Sequence, residues 1–257
     1  MVPLGRVLRR LRGGVDRVGF AALYRLAALT YRFGVAVPRT TAAGRYWSYE
    51  PTNAHGDDPG LAALDALSDD AVILDIGGHT GEYAVPLAVG TRRRVISFEP
   101  NGRSADRLRR TVERNGVGDR VDVRRMGIGD VDDERPFYRS TYSKLSAFDR
   151  DSAARWGGAV EAVDSVPIRR LDTLVEDDVP PPDGIKIDVE GAELDVLSGA
   201  TRTIEAHRPL VVVERHGIGR GQAVAAWFRT RDYEVTVRGD AVICRPEPEN
   251  PDGKLKP

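Results

Sequence analysis

The residues of this chain best suited to chemistry sit at the ends of five short apolar runs. The first reads Asp75-Ile76-Gly77-Gly78-His79-Thr80-Gly81. Glycines directly after a strand let the backbone turn tightly and approach a ligand with no Cβ in the way. The dinucleotide fingerprint G-x-G-x-x-G fails, because His79 stands where the second glycine belongs when counting from Gly77. A phosphate-binding P-loop fails for want of G-K-[ST].

The second run ends at Glu99, 22 residues after Gly77 and just before Pro100-Asn101. An acid at that distance is placed to accept from both hydroxyls of a ribose. The plain alternative is a carboxylate favoured by a helix N-terminus. After the third run, Met126 and Gly127 are small or apolar enough to wall an adenine ring, and Asp130 follows them. With the acidic Asp75 in place of a pyrophosphate cradle, the set suits a ligand with an ammonium and an adenosine. S-adenosylmethionine has that chemistry, together with a sulfonium.

The fourth run is Ile185-Lys186-Ile187-Asp188-Val189-Glu190-Gly191-Ala192-Glu193. A buried charge is expensive unless paired or used, and alternation puts Lys186, Asp188 and Glu190 on one face. They serve either a Lys186–carboxylate ion pair or a reaction site. The fifth run ends Glu214-Arg215-His216. If these two strands are neighbours, Asp188, Glu214 and His216 converge. They would then hold a divalent cation, or His216 would act as general base.

These residues need a parallel sheet to position them. Ala71–Ile76, Arg94–Phe98, Arg120–Arg124, Gly184–Asp188 and Leu210–Glu214 read as strands, with Tyr233–Cys244 as a closing hairpin turning at Arg238-Gly239-Asp240. Helical spacing falls between them: over Gly81–Val89, limited by Pro86; from Asn101 to Asn115, stopped by Gly116; through Leu194, Leu197 and Ile204; and over Gln222–Arg229. Asp130–Val166 is irregular and reads as short strands or a lid. Alternating strands and helices predict an open α/β sheet whose ligands bind beyond the carboxyl ends of its strands.

Of the 257 residues, 41% are hydrophobic and 30% charged, a balance that excludes a disordered or membrane-spanning chain. The single cysteine, Cys244, excludes an internal disulfide and a cysteine-based zinc cluster. Residues 1–45 hold nine arginines against one acid, a net +8, which leaves −9 for residues 46–257 of a chain whose total is −1. Partial helical periodicity from Val15 to Tyr31 fits either a helix on an anionic membrane or one packed on the body. Arg25 and Arg32 interrupt it too often for a membrane span or a secretory signal. The acidic body opposes nucleic acid as a partner. The expected division is a basic helical extension over 1–58, a catalytic domain over 59–245 and a Pro- and charge-rich, disordered tail over 246–257.

The order DIGGHTGEYA, SFEPN, Asn115, GIGD, RRLDTL, IKIDVEGAELDVLSGA and RPLVVVERH resembles the FkbM family of S-adenosylmethionine-dependent methyltransferases, over roughly Ala71 to His216. The resemblance implies the class I methyltransferase (Rossmann-like) fold, a seven-stranded, mostly parallel sheet with helices on both faces and the last strand antiparallel. It implies O-methylation of a hydroxyl on a sugar, glycan or secondary metabolite. By that pattern Asp75, Gly77 and Gly81 hold the methionine part, Glu99 the ribose, and the Asp188–Glu193 segment lines the reaction site; Gly78, His79, Asn101, Met126 and Gly127 complete the expected cofactor-binding set. Gly127 stands where the family often has alanine. Asp188 and Glu214 would orient the acceptor, with or without a metal, and His216 or Glu190 would remove its proton. The expected location is cytoplasmic, with residues 1–45 making peripheral contact at an anionic membrane face. The rivals are a nicotinamide-dependent oxidoreductase and a membrane-recruited binding module without activity.

Overall fold

The computed structural model describes residues 22, 24–53, 55–154, 158–215 and 218–248. A helix over residues 24–33 (α1) leads into a hairpin, β1 (Val37–Thr41) and β2 (Gly44–Ser48), and then α2 (Pro59–Asp65). The main sheet has seven strands in the order β11-β12-β10-β9-β3-β4-β5. They are β3 (Val72–Ile76), β4 (Arg94–Phe98), β5 (Val121–Arg124), β9 (Gly184–Ile187), β10 (Leu210–Glu214), β11 (Tyr233–Arg238) and β12 (Ala241–Pro246). All neighbours pair in parallel except those of β12, which runs antiparallel to β10 and β11.

The central strands are apolar and buried on both faces, as a covered parallel sheet requires. One face packs under Ile204, Val224 and Phe228, the other under Leu61, Leu87 and Leu108. Tyr46 of β2 belongs to the second cluster. The chain runs outward from β3 through β4 to β5, returns to β9 and proceeds the other way through β10. The switch point therefore lies between β3 and β9, where a ligand crevice belongs.

The five parallel strands of the main sheet fall where their apolar runs predict them, within a residue at each end, and the closing hairpin runs two residues past Cys244, to Pro246. The helices depart more. Gly81–Val89 yields only α3 (Ala84–Ala88), because Gly77 and Gly81 take φ of +84° and +93° and the loop runs on to Tyr83. α4 (Gly102–Asn115) has Asn101 as its N-cap and Gly116 as its left-handed stop. The expected single helix through Leu194 and Ile204 is two, α7 (Glu193–Gly199) and α8 (Thr201–His207), broken at Ala200. α9 (Ile218–Arg229) starts earlier than its apolar spacing suggests.

The irregular stretch is a second sheet: β6 (Gly127–Ile128), β7 (Asp133–Ser140) and β8 (Val160–Arg169) in the order β6-β8-β7. Its strands carry many charges and the prolines Pro136 and Pro167, which hide the alternation. Between β7 and β8 lie a 3-10 turn (Ser143–Leu145) and α5 (Arg150–Ala153). α6 (Leu171–Asp177) completes the described elements. Tail residues 249–257 and residues 1–21 lie outside the described residues, so the expected disordered tail and most of the basic head are not described.

Candidate active site

Where β3, β4, β9 and β10 end, the sheet turns from apolar to polar. Register sets Ser97, Asp75, Lys186 and Val212 in one row across it. Ser97 Oγ donates to Asp75 Oδ2 at 3.0 Å. Lys186 Nζ lies 3.2 Å from Asp75 Oδ1 and 3.6 Å from Asp188 Oδ2, and donates to the Gly77 carbonyl at 2.8 Å. Burial alone would lower the Lys186 pKa, but Asp75, Asp188 and Glu214 outweigh it and raise it. Lys186 is therefore a fixed cation that ties the sheet to the glycine loop, the ion pair that the sequence left as one of two roles. It holds no lone pair for base catalysis near neutral pH.

A cavity of about 930 Å³ opens beyond these strand ends. Gly77, Gly78, His79, Glu99, Met126 and Gly127 line it on the β3–β4 side, and Lys186, Asp188, Glu190 and Glu214 on the β9–β10 side. Asp75 does not line it. Its carboxylate is wholly buried and taken up by Ser97 and Lys186, which corrects the expectation that it faces a ligand's ammonium. Gly81 and Asn101 also stand behind the wall rather than in it. A Cβ on Gly81 would meet Leu108 Cδ1 at 2.5 Å, and Asn101 caps α4 while its Nδ2 donates to Ser146 Oγ at 3.1 Å.

The glycine loop is a surface with no side-chain volume to spare. A Cβ on Gly77 would stand 1.8 Å from the Asp188 carbonyl oxygen, and one on Gly78 1.9 Å from Ser97 Oγ. Backbone thus packs on backbone at the switch point, leaving room above the loop for a ligand. Gly127 has a similar reason. A Cβ there would meet the Phe148 ring at 2.7 Å, so glycine admits the ring, which packs edge-on against Phe137.

Glu99 is a buried acid of the cavity wall, held by two backbone N–H groups. His79 N donates to its Oε2 at 2.8 Å and Asn101 N to its Oε1 at 2.7 Å. Burial pushes its pKa up to about 7, with those two bonds pulling the other way. His79 itself takes φ +45°, and its Nε2 sits 2.9 Å from Ser143 Oγ. Burial and then the Lys144 charge hold the imidazole down to about 3, so it is neutral. Across the cavity, Glu190 and Gly191 take φ of +51° and +111°, and Gly191 N donates to buried Glu193 Oε1 at 2.9 Å. Glu193 braces that turn; Asp188 and Glu190 face the cavity.

β9 and β10 are neighbours, as expected, and bring Asp188 and Glu214 into one cavity. His216 lies outside the described residues. Among the described residues no three His, Cys, Asp or Glu side chains are grouped to hold a metal, so they lend the divalent cation no support.

Two pairs in the cavity wall escape the sequence reading. Lys144 Nζ sits 3.1 Å from Glu82 Oε2, linking the segment after β7 to the glycine loop. Glu82 raises the Lys144 pKa; burial would raise that of Glu82, but Lys144, His55 and His79 together outweigh it and lower it. His55 Nδ1 lies 2.6 Å from Asp58 Oδ2, whose Oδ1 caps α2 by accepting from Gly60 N at 2.7 Å. Lys144 had one signal, being one of four lysines in the chain. His55 had the cap spacing H-x-x-D-P, which names a helix start and no chemistry.

A family profile described as "Methyltransferase FkbM domain" matches residues 75–235, well over half of the chain. The chain belongs to the FkbM methyltransferase family. The nicotinamide alternative falls with that assignment. Among curated relatives, the hexuronic acid methyltransferase AglP of Haloferax volcanii is 31% identical over 156 residues, 60% of this chain and 59% of AglP. The AMB antimetabolite synthetase AmbE of Pseudomonas aeruginosa is 30% identical over 216 residues, 69% of this chain and 10% of AmbE. The chain thus spans a tenth of one relative and about three-fifths of the other. Among solved structures, an FkbM methyltransferase from Methylobacillus flagellatus KT superposes with a TM-score of 0.53 at 21% identity, over 70% of this chain and 44% of that one. At that identity the likeness concerns the FkbM fold: a class I, Rossmann-like sheet with its last strand antiparallel.

Proposed function

We propose that this chain transfers the methyl group of S-adenosylmethionine to a hydroxyl of a sugar, glycan or secondary metabolite. The observation that carries the reading is Glu99 beside the Gly77-Gly78 loop. Both carboxylate oxygens are aimed by backbone N–H groups at a wall where no Cβ fits, which suits a ribose diol lying across the loop. The donor supplies an activated methyl on a sulfonium, so the protein's task is chiefly positioning and charge complementarity. Asp188, Glu190 and Glu214 put negative charge on the opposite wall. Asp75 acts through Lys186, holding loop and sheet together. A neutral hydroxyl needs its proton removed, and Glu190 or His216 is assigned that role; Asp188 and Glu214 orient the acceptor. The names of two relatives, one a hexuronic acid methyltransferase and one an antimetabolite synthetase, support a polyhydroxylated or secondary-metabolite acceptor. The reading carries with it a cytoplasmic location, where the donor is made.

Calorimetry with S-adenosylhomocysteine tests the cofactor. Glu99→Ala should weaken binding at least about tenfold, as loss of hydrogen bonds to a charged group does. Equal affinity in the variant would overturn the assignment. Labelled methyl transfer to a panel of sugar nucleotides, glycosides and lipid-linked saccharides tests the chemistry. The product should be a base-stable methyl ether; a base-labile ester would move the reaction from a hydroxyl to a carboxylate.

A further inference from the structure

The face formed by α1, the base of the β1–β2 hairpin at Trp47 and one side of α4 combines exposed apolar groups with positive charge. α1 is seated on the body by Ala27 and Tyr31, both buried, and by Thr30 Oγ1 donating to Tyr49 O at 2.6 Å. Its other side leaves Leu26, Leu29 and Phe33 between 48% and 69% exposed, with Val35 following at 52%. Trp47 of β2 is 40% exposed. Among the described residues these are five of the eight large apolar side chains that face solvent, gathered within 22 positions of sequence. Such a concentration marks an interaction surface rather than scattered exposure.

The charge beside it comes from two elements. Arg25 and Arg32 are exposed on α1, and the sequence holds no acid from Arg17 to Tyr49. On α4, Arg103, Arg107, Arg110 and Arg114 recur at helical spacing and form one stripe. The Arg107 guanidinium lies 4.6 Å from the Tyr31 ring, Arg110 5.4 Å from Tyr49 and Arg114 4.7 Å from Trp47, so stripe and apolar face adjoin. Arg103 is paired with Glu161 at 3.0 Å, and Asp106 with Arg109 on another side of the helix.

We infer that this face docks the enzyme on an anionic lipid surface. Exposed leucine, phenylalanine and valine have no counterpart on a phosphodiester backbone, whereas a membrane interface takes apolar groups, an indole and flanking arginines together. No helix among the described residues is long and apolar enough to cross a membrane. α1 also touches the cavity wall: Lys144 N donates to the Tyr24 hydroxyl at 3.4 Å, and the Tyr24 and Tyr142 rings are 5.0 Å apart. Docking through this face would bring that wall close to the lipid.

The test is co-sedimentation of the full chain with phosphatidylcholine vesicles, with and without phosphatidylglycerol. Binding should be at least about tenfold stronger to the anionic vesicles and should weaken with salt. A Leu29→Asp/Phe33→Asp variant and, separately, an Arg110→Glu/Arg114→Glu variant should each lose most of it while S-adenosylhomocysteine binding and thermal unfolding stay as in the parent. Equal binding to both vesicle types, or parental binding by both variants, would overturn the inference. So would self-association that Phe33→Asp abolishes, or tight binding of an RNA oligonucleotide with none to vesicles.

Discussion

Glu99 couples its chemistry to protons. Its carboxyl, pushed up to about 7 by burial, is largely protonated in the empty site at pH 6. A ribose diol that donates to it favours the ionised form, so binding should expel a proton. Calorimetry of S-adenosylhomocysteine in buffers of different ionisation enthalpy should show net release approaching one proton at pH 6, fading above pH 8 and absent in Glu99→Gln. An enthalpy independent of buffer at pH 6 would sink the idea. His79, held down to about 3, stays neutral over that range and adds nothing to the count. Lys186 illustrates how a residue changes role once its neighbours are known: with Asp75 and Asp188 beside it, the amine is a structural cation.

At the level of elements, the glycine loop and the cap of α2 are the parts most open to test. Gly77→Ala must hold an alanine at φ +84° against the Asp188 carbonyl, and Gly78→Ala drives a methyl into Ser97. Each should abolish detectable donor binding in a titration and lower stability by about 1–3 kcal/mol or more, the range of overpacking and backbone strain. The His55–Asp58 pair ties stability to pH in two directions. Burial would raise the Asp58 pKa, but bonds from His55 and Tyr83 outweigh it and bring it to about 2. Burial would lower the His55 pKa, but Asp58 and Glu82 outweigh it and raise it. The carboxylate's contribution is therefore complete above its unfolded pKa and lost as pH falls through about 2. The imidazole's is complete below its unfolded pKa and lost as pH rises through its raised value. The difference in melting temperature between the parent and Asp58→Asn should thus be largest between about pH 4 and 6.5, and shrink on both sides. A difference that grows steadily toward pH 9 would contradict the pairing.

Across the whole molecule, the hairpin before α2 is joined to the core rather than appended to it. Tyr46 is 5% exposed and packs with Leu61, Leu64 and Tyr83, and Asn115 of α4 exchanges hydrogen bonds with the Trp47 backbone at 2.7 and 2.8 Å. A chain started at Asp58 should therefore melt well below the full chain. Tyr46→Ala in the full chain should cost about 3–5 kcal/mol in urea unfolding, as large aromatic truncations in a core do. Melting of the shortened chain at the parental temperature would show that the hairpin is dispensable.

The sequence by itself determined the five parallel strands of the main sheet, their buried character, and which strand ends carry the chemistry. Those follow from local rules: short apolar runs, glycines after them, acids at the turns. It also carried the family, through the strings from DIGGHTGEYA to RPLVVVERH. Only the tertiary structure decided which of those residues meet a ligand. Asp75 and Glu99 are both acids at strand ends, yet the register that seats Asp75 between Ser97 and Lys186 buries it, while Glu99 opens on the cavity. Lys144 reaches Glu82 across 62 positions, and His55 gains its role from the helix cap it touches. The arginines of α4 likewise join those of α1 only when Tyr31 packs between the two helices. Contacts between distant segments depend on how the layers stack, and neither spacing nor composition records that.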